Sequence, residues 1–213
     1  MDIIKHEENG LMTNDLLFAK VRPDAIIPTK EDENAGYDIY ACFDEDYIII
    51  PPHKTKLIPT GIASAVCSKY YLQVHERGST GSKGMKYGAG VIDSSYRGEI
   101  FICVNNVNDT SIIISKLSKE ELIEKYGKEE YEEFVDDIYS KYYTIKYGND
   151  SYDIAYLDSP NKSDNAIIYP YSKAIAQLVI HEVPKMNVKE ITYEELLAIP
   201  SERGTGALGS SGK

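Results

Sequence analysis

The strongest constraint on the fold is a succession of short apolar runs, rich in β-branched and aromatic residues and punctuated by Gly, Pro, Asn and Asp. LLFAKV begins at Leu16, YDIYACF at Tyr37, YIIIPP at Tyr47, KLIPTGIASAV at Lys56 and YYLQVHE at Tyr70. Such runs suit strands, because β-branched side chains lose χ1 freedom on a helix and pack well on a pleated surface. The pattern continues through GVID, GEIFICVNNV and TSIIIS, and resumes after a gap in IAQLVIHEVP. Many short strands at close spacing predict an all-β domain of sandwich, jelly-roll or barrel type. At 213 residues the chain suits one domain with a substantial insertion.

The gap runs from Lys116 to Pro170, and there the period changes. Ser118-Lys-Glu-Glu121 has capping-box spacing, after which Leu122, Ile123 and Tyr126 fall on one helical side and Gly127 reads as the stop. A second amphipathic stretch covers Lys128 to Tyr142, with Tyr131, Phe134, Val135 and Ile138 sharing a side. The polar YGNDSYDIAYLDSPNKSDN beyond it reads as a surface loop. The expected organisation is a loose leader at 1–15, a β core at 16–115 and 171–200, a partly helical insertion at 116–170 and a flexible arm at 201–213. Connections of that length in compact domains tend to be functional or mobile. This one either covers its own apolar face or docks a partner, and the sequence leaves both open.

A formal net charge of −11 argues against a general nucleic-acid or anionic-membrane surface, since those partners need a positive field over the contact face. Any phosphate ligand must therefore meet a local basic cluster. No apolar run approaches the roughly 20 residues that span a bilayer, and the first 15 residues carry acids where a signal peptide has its apolar core. A soluble, intracellular protein is expected. Cys42, Cys67 and Cys103 are too few and too scattered for a disulfide framework or a zinc site, and their apolar settings predict buried free thiols.

Four Gly-flanked polar segments stand where strands are expected to end: NAGYDIYA (34–41), ERGSTGSKG (76–84), GAGVIDSSYRGE (88–99) and SERGTGALGSSG (201–212). Three of them combine a basic residue with Gly and Ser. Backbone N–H groups freed by Gly-rich turns, Ser hydroxyls and Arg or Lys charges are what a polyphosphate needs. Asp93, at the end of a strand within one of these segments, has two readings. It can orient and deprotonate a water as a general base, or it can cap its own turn through the Ser94 or Ser95 backbone.

Taken in order, AGYDIYA, RGSTGSKG, GVIDSSYRGEI, AIAQLVI and RGTGALGSSG resemble the five motifs of the homotrimeric dUTPases, the dUTP diphosphatases. The resemblance implies a jelly-roll-like β-clip or barrel that assembles as a homotrimer, with active sites at subunit interfaces and a C-terminal arm that closes over a site built by other chains. It implies hydrolysis of dUTP to dUMP and diphosphate, which limits dUTP and supplies dUMP for thymidylate synthesis, with Mg2+ held mainly by the triphosphate. By similarity Asp93 activates the water that attacks the α-phosphorus, and Tyr96 packs against the deoxyribose. The backbone of a hairpin from Tyr87 through Gly90, Val91 and Ile92 would read the uracil edge. Arg77, Gly78, Ser79 and Lys83 match the phosphate-contacting second motif, and Gln177 the fourth. Arg203, Leu208, Gly209 and Ser210 match the arm, and Asp38 is expected to support the metal's water shell or neighbouring Arg residues.

Three departures stand out. Glu76-Arg77-Gly78 replaces the family's Pro-Arg-Ser, so Ser79 or a backbone amide must supply the missing donor. Ala174 stands where the family has Arg, with Lys173 beside it, and Leu208 replaces the aromatic residue that stacks on uracil. A dCTP deaminase of the same fold is the enzymatic alternative, although GVID-x-x-YRG fits dUTPase better. A regulatory protein bound through the 116–170 insertion is the alternative from another class, and it is compatible with catalysis.

Overall fold

The structure, a computed structural model, describes residues 7–8, 11–12, 14–126, 144–147, 150–153 and 166–206. The chain divides into two compact units, 1–183 and 184–213. Among the described residues no helix is long and apolar enough to cross a membrane.

The first unit is built from small, largely antiparallel sheets around one apolar core, as the alternating runs predict. Val91–Ile92, Tyr70–His75, Ala176–Glu182 and Gly36–Ile39 lie side by side in a four-stranded antiparallel sheet. Thr55–Pro59, Phe101–Asn106 and Met85–Gly88 form a second antiparallel sheet, and Leu16–Lys20 pairs with Ile62–Val66. Ile39, Ile58, Ile62, Leu72, Ile100, Ile102 and Leu178 are all fully buried between them. The run KLIPTGIASAV, one strand in the sequence reading, is two. The chain turns at Thr60-Gly61, where Gly61 has φ 64°, a conformation L side chains rarely adopt.

The three consecutive Ile of Ile112–Ser115 find a different environment. This strand is central in a sheet with Tyr47–Ile50 on one side, antiparallel, and Ile167–Pro170 on the other, parallel. Ile112 and Ile114 face the main core, while Ile113 packs on the opposite face with Leu122, Ile123 and Tyr126 of the Lys119–Tyr126 helix. A strand covered on both faces reads as a continuous apolar run, and a parallel partner requires a crossover of a dozen residues or more. Both physical demands explain why the long connection sits here. They also move the resumption of the core from 171 to Ile167, because Ile167–Pro170 is a core strand and Tyr169 is fully buried.

The helix starts as the capping box predicts. The Ser118 backbone N–H donates to Glu121 Oε2 at 2.7 Å, and the Glu121 N–H donates to Ser118 Oγ at 3.2 Å. It is fastened at its far end by Asp46, which pairs with Lys125 and accepts from the Tyr126 hydroxyl at 2.5 Å. Gly127, Leu208, Gly209, Ser210 and the Lys128–Tyr142 stretch lie outside the described residues. Part of the expected surface loop is instead an antiparallel pair, Thr144–Tyr147 with Asp150–Asp153. All three cysteines are free thiols; Cys42 and Cys67 are buried, but Cys103 is only half-buried, since it sits on the face of its strand opposite to the buried Ile102 and Val104.

The second unit differs from the expected continuation of the β core to residue 200. Within it Tyr193–Leu197 is a short helix whose N-cap Thr192 and Glu195 form a reciprocal capping box. The Thr-x-x-Glu spacing was available in the sequence as its signal.

Hydrogen bonds from Lys125 and Tyr126 hold the Asp46 carboxyl below the usual carboxylate range. A depressed value means that this fastening is present above the ordinary carboxyl pKa and is lost as pH falls through the folded one. Amide exchange across 119–126 is expected to be slower in the wild type than in Asp46→Asn at neutral pH, and equal in the two once Asp46 is protonated in strong acid.

Candidate active site

The four-stranded sheet sets the site by register. Gln177 lies opposite both His75 and Asp38 on its neighbouring strands, so these three side chains share one face. The chain leaves that sheet after His75 and enters Glu76-Arg77, followed by a single helical turn, Gly78–Gly81. Arg77 bends back over the sheet edge. Its Nε and one terminal nitrogen donate to the two oxygens of Asp38 at 2.8 and 2.9 Å, and its other terminal nitrogen donates to the Ala174 carbonyl at 3.3 Å. The bidentate fork fixes the guanidinium plane as well as its position. Each Asp38 oxygen thereby accepts one bond from the guanidinium.

Two more contacts close the cluster. Gln177 donates through Nε2 to the Glu76 carbonyl at 2.8 Å, and the Tyr87 hydroxyl donates to the Ile175 carbonyl. Gly36 makes this packing possible, because a Cβ there would lie 2.5 Å from Gln177 Oε1 and 2.9 Å from Gln177 Cβ. Residues 36–38, 76–80, 87 and 174–177 are thereby joined by direct hydrogen bonds and contact. Burial pushes the Tyr87 hydroxyl well above its usual pKa, so it is a fixed donor at any ordinary pH. Ser79 is exposed, with Oγ 3.4 Å from Arg77, while Gly78 and Lys83 are exposed beside it.

Asp93 does not join this cluster within one chain. Val91 and Ile92 pair with Gln73 and Leu72, so the strand runs antiparallel to Tyr70–His75 and Asp93 emerges at the Tyr71 end. Six residues at ~3.3 Å each separate that end from Arg77, roughly 20 Å along the strand direction. The side chain is exposed, and among the described residues its carboxylate caps no turn; only its carbonyl accepts, from the Tyr96 N–H at 3.0 Å. Tyr96 is held beside it by a 2.9 Å bond from its hydroxyl to the Glu99 carbonyl, with its ring folded over Gly98 where any Cβ would collide with it.

The expected Tyr87–Ile92 hairpin is a corner between sheets. Met85–Gly88 pairs with Phe101–Asn106, whereas Val91–Ile92 pairs with Tyr70–His75. Ala89 takes φ 49° at the bend, and the Gly90 carbonyl accepts from the Val74 N–H at 2.8 Å. Ala174 is buried and contributes its carbonyl to Arg77, while Lys173 next to it is exposed. Arg203, in the second unit, donates through Nε to the Gly206 carbonyl at 2.7 Å. Glu76 and Thr80 have no motif of their own in the sequence; only their closeness to Arg77 marks them.

Together the sheet, the Arg77 cluster and the separate Asp93 turn define an all-β protein with two polar clusters at opposite ends of one strand. The family model described as dUTPase matches residues 23–119. The deoxyuridine 5'-triphosphate nucleotidohydrolase of Leptospira interrogans is 35% identical over 103 residues, 46% of this chain and 70% of that protein. The protein of the same name from Candida albicans is 28% identical over 193 residues, 90% of this chain and 84% of that one. The dUTPase of Staphylococcus bacteriophage 80alpha, solved with dUpNHpp, superposes with a TM-score of 0.60 at 19% identity, covering 94% of this chain and 100% of that one, a likeness of fold. The chain belongs to the dUTPase family.

Gly36→Ala is expected to cost about 1–3 kcal/mol through overpacking against Gln177, read as a lowered urea midpoint at unchanged m-value.

Proposed function

We propose that this chain hydrolyses dUTP to dUMP and diphosphate as a homotrimer in which each active site is completed by more than one copy. The observation that carries the reading is the sheet register, which puts the Asp93 turn and the Arg77 cluster at opposite ends of the Tyr70–His75 strand. One chain thus offers an acid without phosphate donors and phosphate donors without an acid. A neighbouring copy can unite them, and family membership supports that assembly.

In this mechanism Asp93 accepts a proton from water as the water oxygen bonds to the α-phosphorus; the bond from that phosphorus to the bridging oxygen breaks, and diphosphate leaves. An exposed carboxylate with no side-chain partner among the described residues is free for that task. Tyr96, tethered by Glu99 and stacked over Gly98, presents its ring to the deoxyribose. Gly90, Val91 and Ile92 offer backbone groups to the uracil edge. Arg77, preset by Asp38, meets the phosphates with Gly78, Ser79, Lys83 and Gln177. Donors fixed before the substrate arrives need no reorganisation as charge develops. Arg203, Gly209 and Ser210 close over the γ-phosphate end, and Leu208 covers the base.

Asp38 gives both oxygens to Arg77, and among the described residues no three His, Cys, Asp or Glu side chains converge on one point. These residues fit a Mg2+ ion held by the triphosphate and water. Bound there, the ion neutralises phosphate charge.

Diphosphate release is expected with dUTP and not with dTTP, dCTP or UTP, and Asp93→Asn should abolish it without disturbing assembly. Mixing Asp93→Asn with Arg77→Ala chains after dissociation and reassembly should restore roughly a quarter of the wild-type sites, by random pairing around a cyclic oligomer. A mixture as inactive as its parents would refute shared sites; ammonia released from dCTP would refute the reaction.

A further inference from the structure

Arg77 is fixed from two directions, and only one of them is the Asp38 carboxylate. The other is Thr80, whose side chain is fully buried beneath the Gly78–Gly81 turn. Its Oγ1 accepts from the Arg77 backbone N–H at 3.0 Å and donates its proton to the Arg77 carbonyl at 3.1 Å. The Arg77 side chain is held by other groups, the Asp38 carboxylate and the Ala174 carbonyl. The backbone and the guanidinium of Arg77 are thus fixed by different partners.

We propose that Thr80 is a positioning residue for Arg77, its buried hydroxyl holding the backbone from which the phosphate-binding guanidinium projects. The inference rests on the reaction proposed above and adds to it a group that touches no substrate. Three observations support it: Thr80 is fully buried, its hydroxyl both accepts from the Arg77 N–H and donates to the Arg77 carbonyl, and the partners of the guanidinium, Asp38 and the Ala174 carbonyl, act on the side chain and leave the backbone to the turn. Removing the hydroxyl takes this acceptor from the Arg77 N–H and leaves the turn less firmly closed.

The test compares Thr80→Val, which keeps the shape and loses the hydroxyl, with Thr80→Ser, which keeps the hydroxyl. Thr80→Val is expected to raise KM for dUTP roughly tenfold with kcat changed less than about twofold, and Thr80→Ser to restore KM to near the wild-type value. Equal losses in the Val and Ser variants would make Thr80 a packing residue and overturn the proposal. If Thr80→Val does not fold, Thr80→Ala compared with Thr80→Ser decides, with equal KM values as the refuting result. Should the wild type not release diphosphate from dUTP, the proposed reaction fails, and calorimetric binding of inorganic diphosphate reads the positioning instead: Thr80→Val must bind it more weakly than Thr80→Ser, or the proposal is wrong.

Discussion

The candidate site depends on the ion pair between Arg77 and Asp38. A guanidinium projecting from a Gly- and Ser-rich turn would otherwise sweep a wide volume, because the side chain has several free torsions. Two parallel N–H to oxygen bonds, at 2.8 and 2.9 Å, remove that freedom and set the plane of the fork. The pair is partly exposed, so its contribution to stability is modest, about 1 kcal/mol or less. Its importance lies in orientation. Asp38 can play this part because its strand lies beside Ala176–Glu182, which lies in turn beside the strand that launches Arg77.

The same sheet separates what it organises. Gln177 meets His75 and Asp38 at one end, while the separate antiparallel pairing of Val91 and Ile92 with Gln73 and Leu72 sends Asp93 toward the other. A single copy is therefore polar at both ends of the sheet. If the proposed shared site holds, this separation links chemistry to assembly. The buried Thr80 belongs to the Arg77 end, where its hydroxyl bonds both the N–H and the carbonyl of Arg77.

The long connection after Ser115 follows from topology. Ile112–Ser115 has a parallel neighbour, and parallel neighbours cannot be joined by a tight turn. Part of the crossover is used to bury Ile113 under the Lys119–Tyr126 helix. Lys116 and Tyr171, at its two roots, meet face on, with the Lys116 ammonium 5.1 Å from the Tyr171 ring centre and 5.3 Å from that of Phe43. The ammonium also donates to the Phe43 carbonyl at 2.6 Å. Entry and exit of the crossover are thus anchored at one spot, whatever the intervening chain does.

The sequence by itself determined local structure and residue chemistry. Alternating β-branched runs dictated the strands, Ser118 and Glu121 dictated a helix start, and the ordered Gly-rich segments supplied a polyphosphate vocabulary, because each is written within a few consecutive residues. Only the tertiary structure decided pairing. That the Met85–Gly88 and Val91–Ile92 strands join different sheets, that Ile167–Pro170 returns to the core in parallel, and that Asp93 parts from Arg77 are all matters of register between residues distant in the chain. The Ala174 and Ile175 carbonyls were illegible for the same reason: they receive Arg77 and Tyr87 only when strands far apart in sequence come within hydrogen-bonding distance, and carbonyls carry no side-chain signal at all.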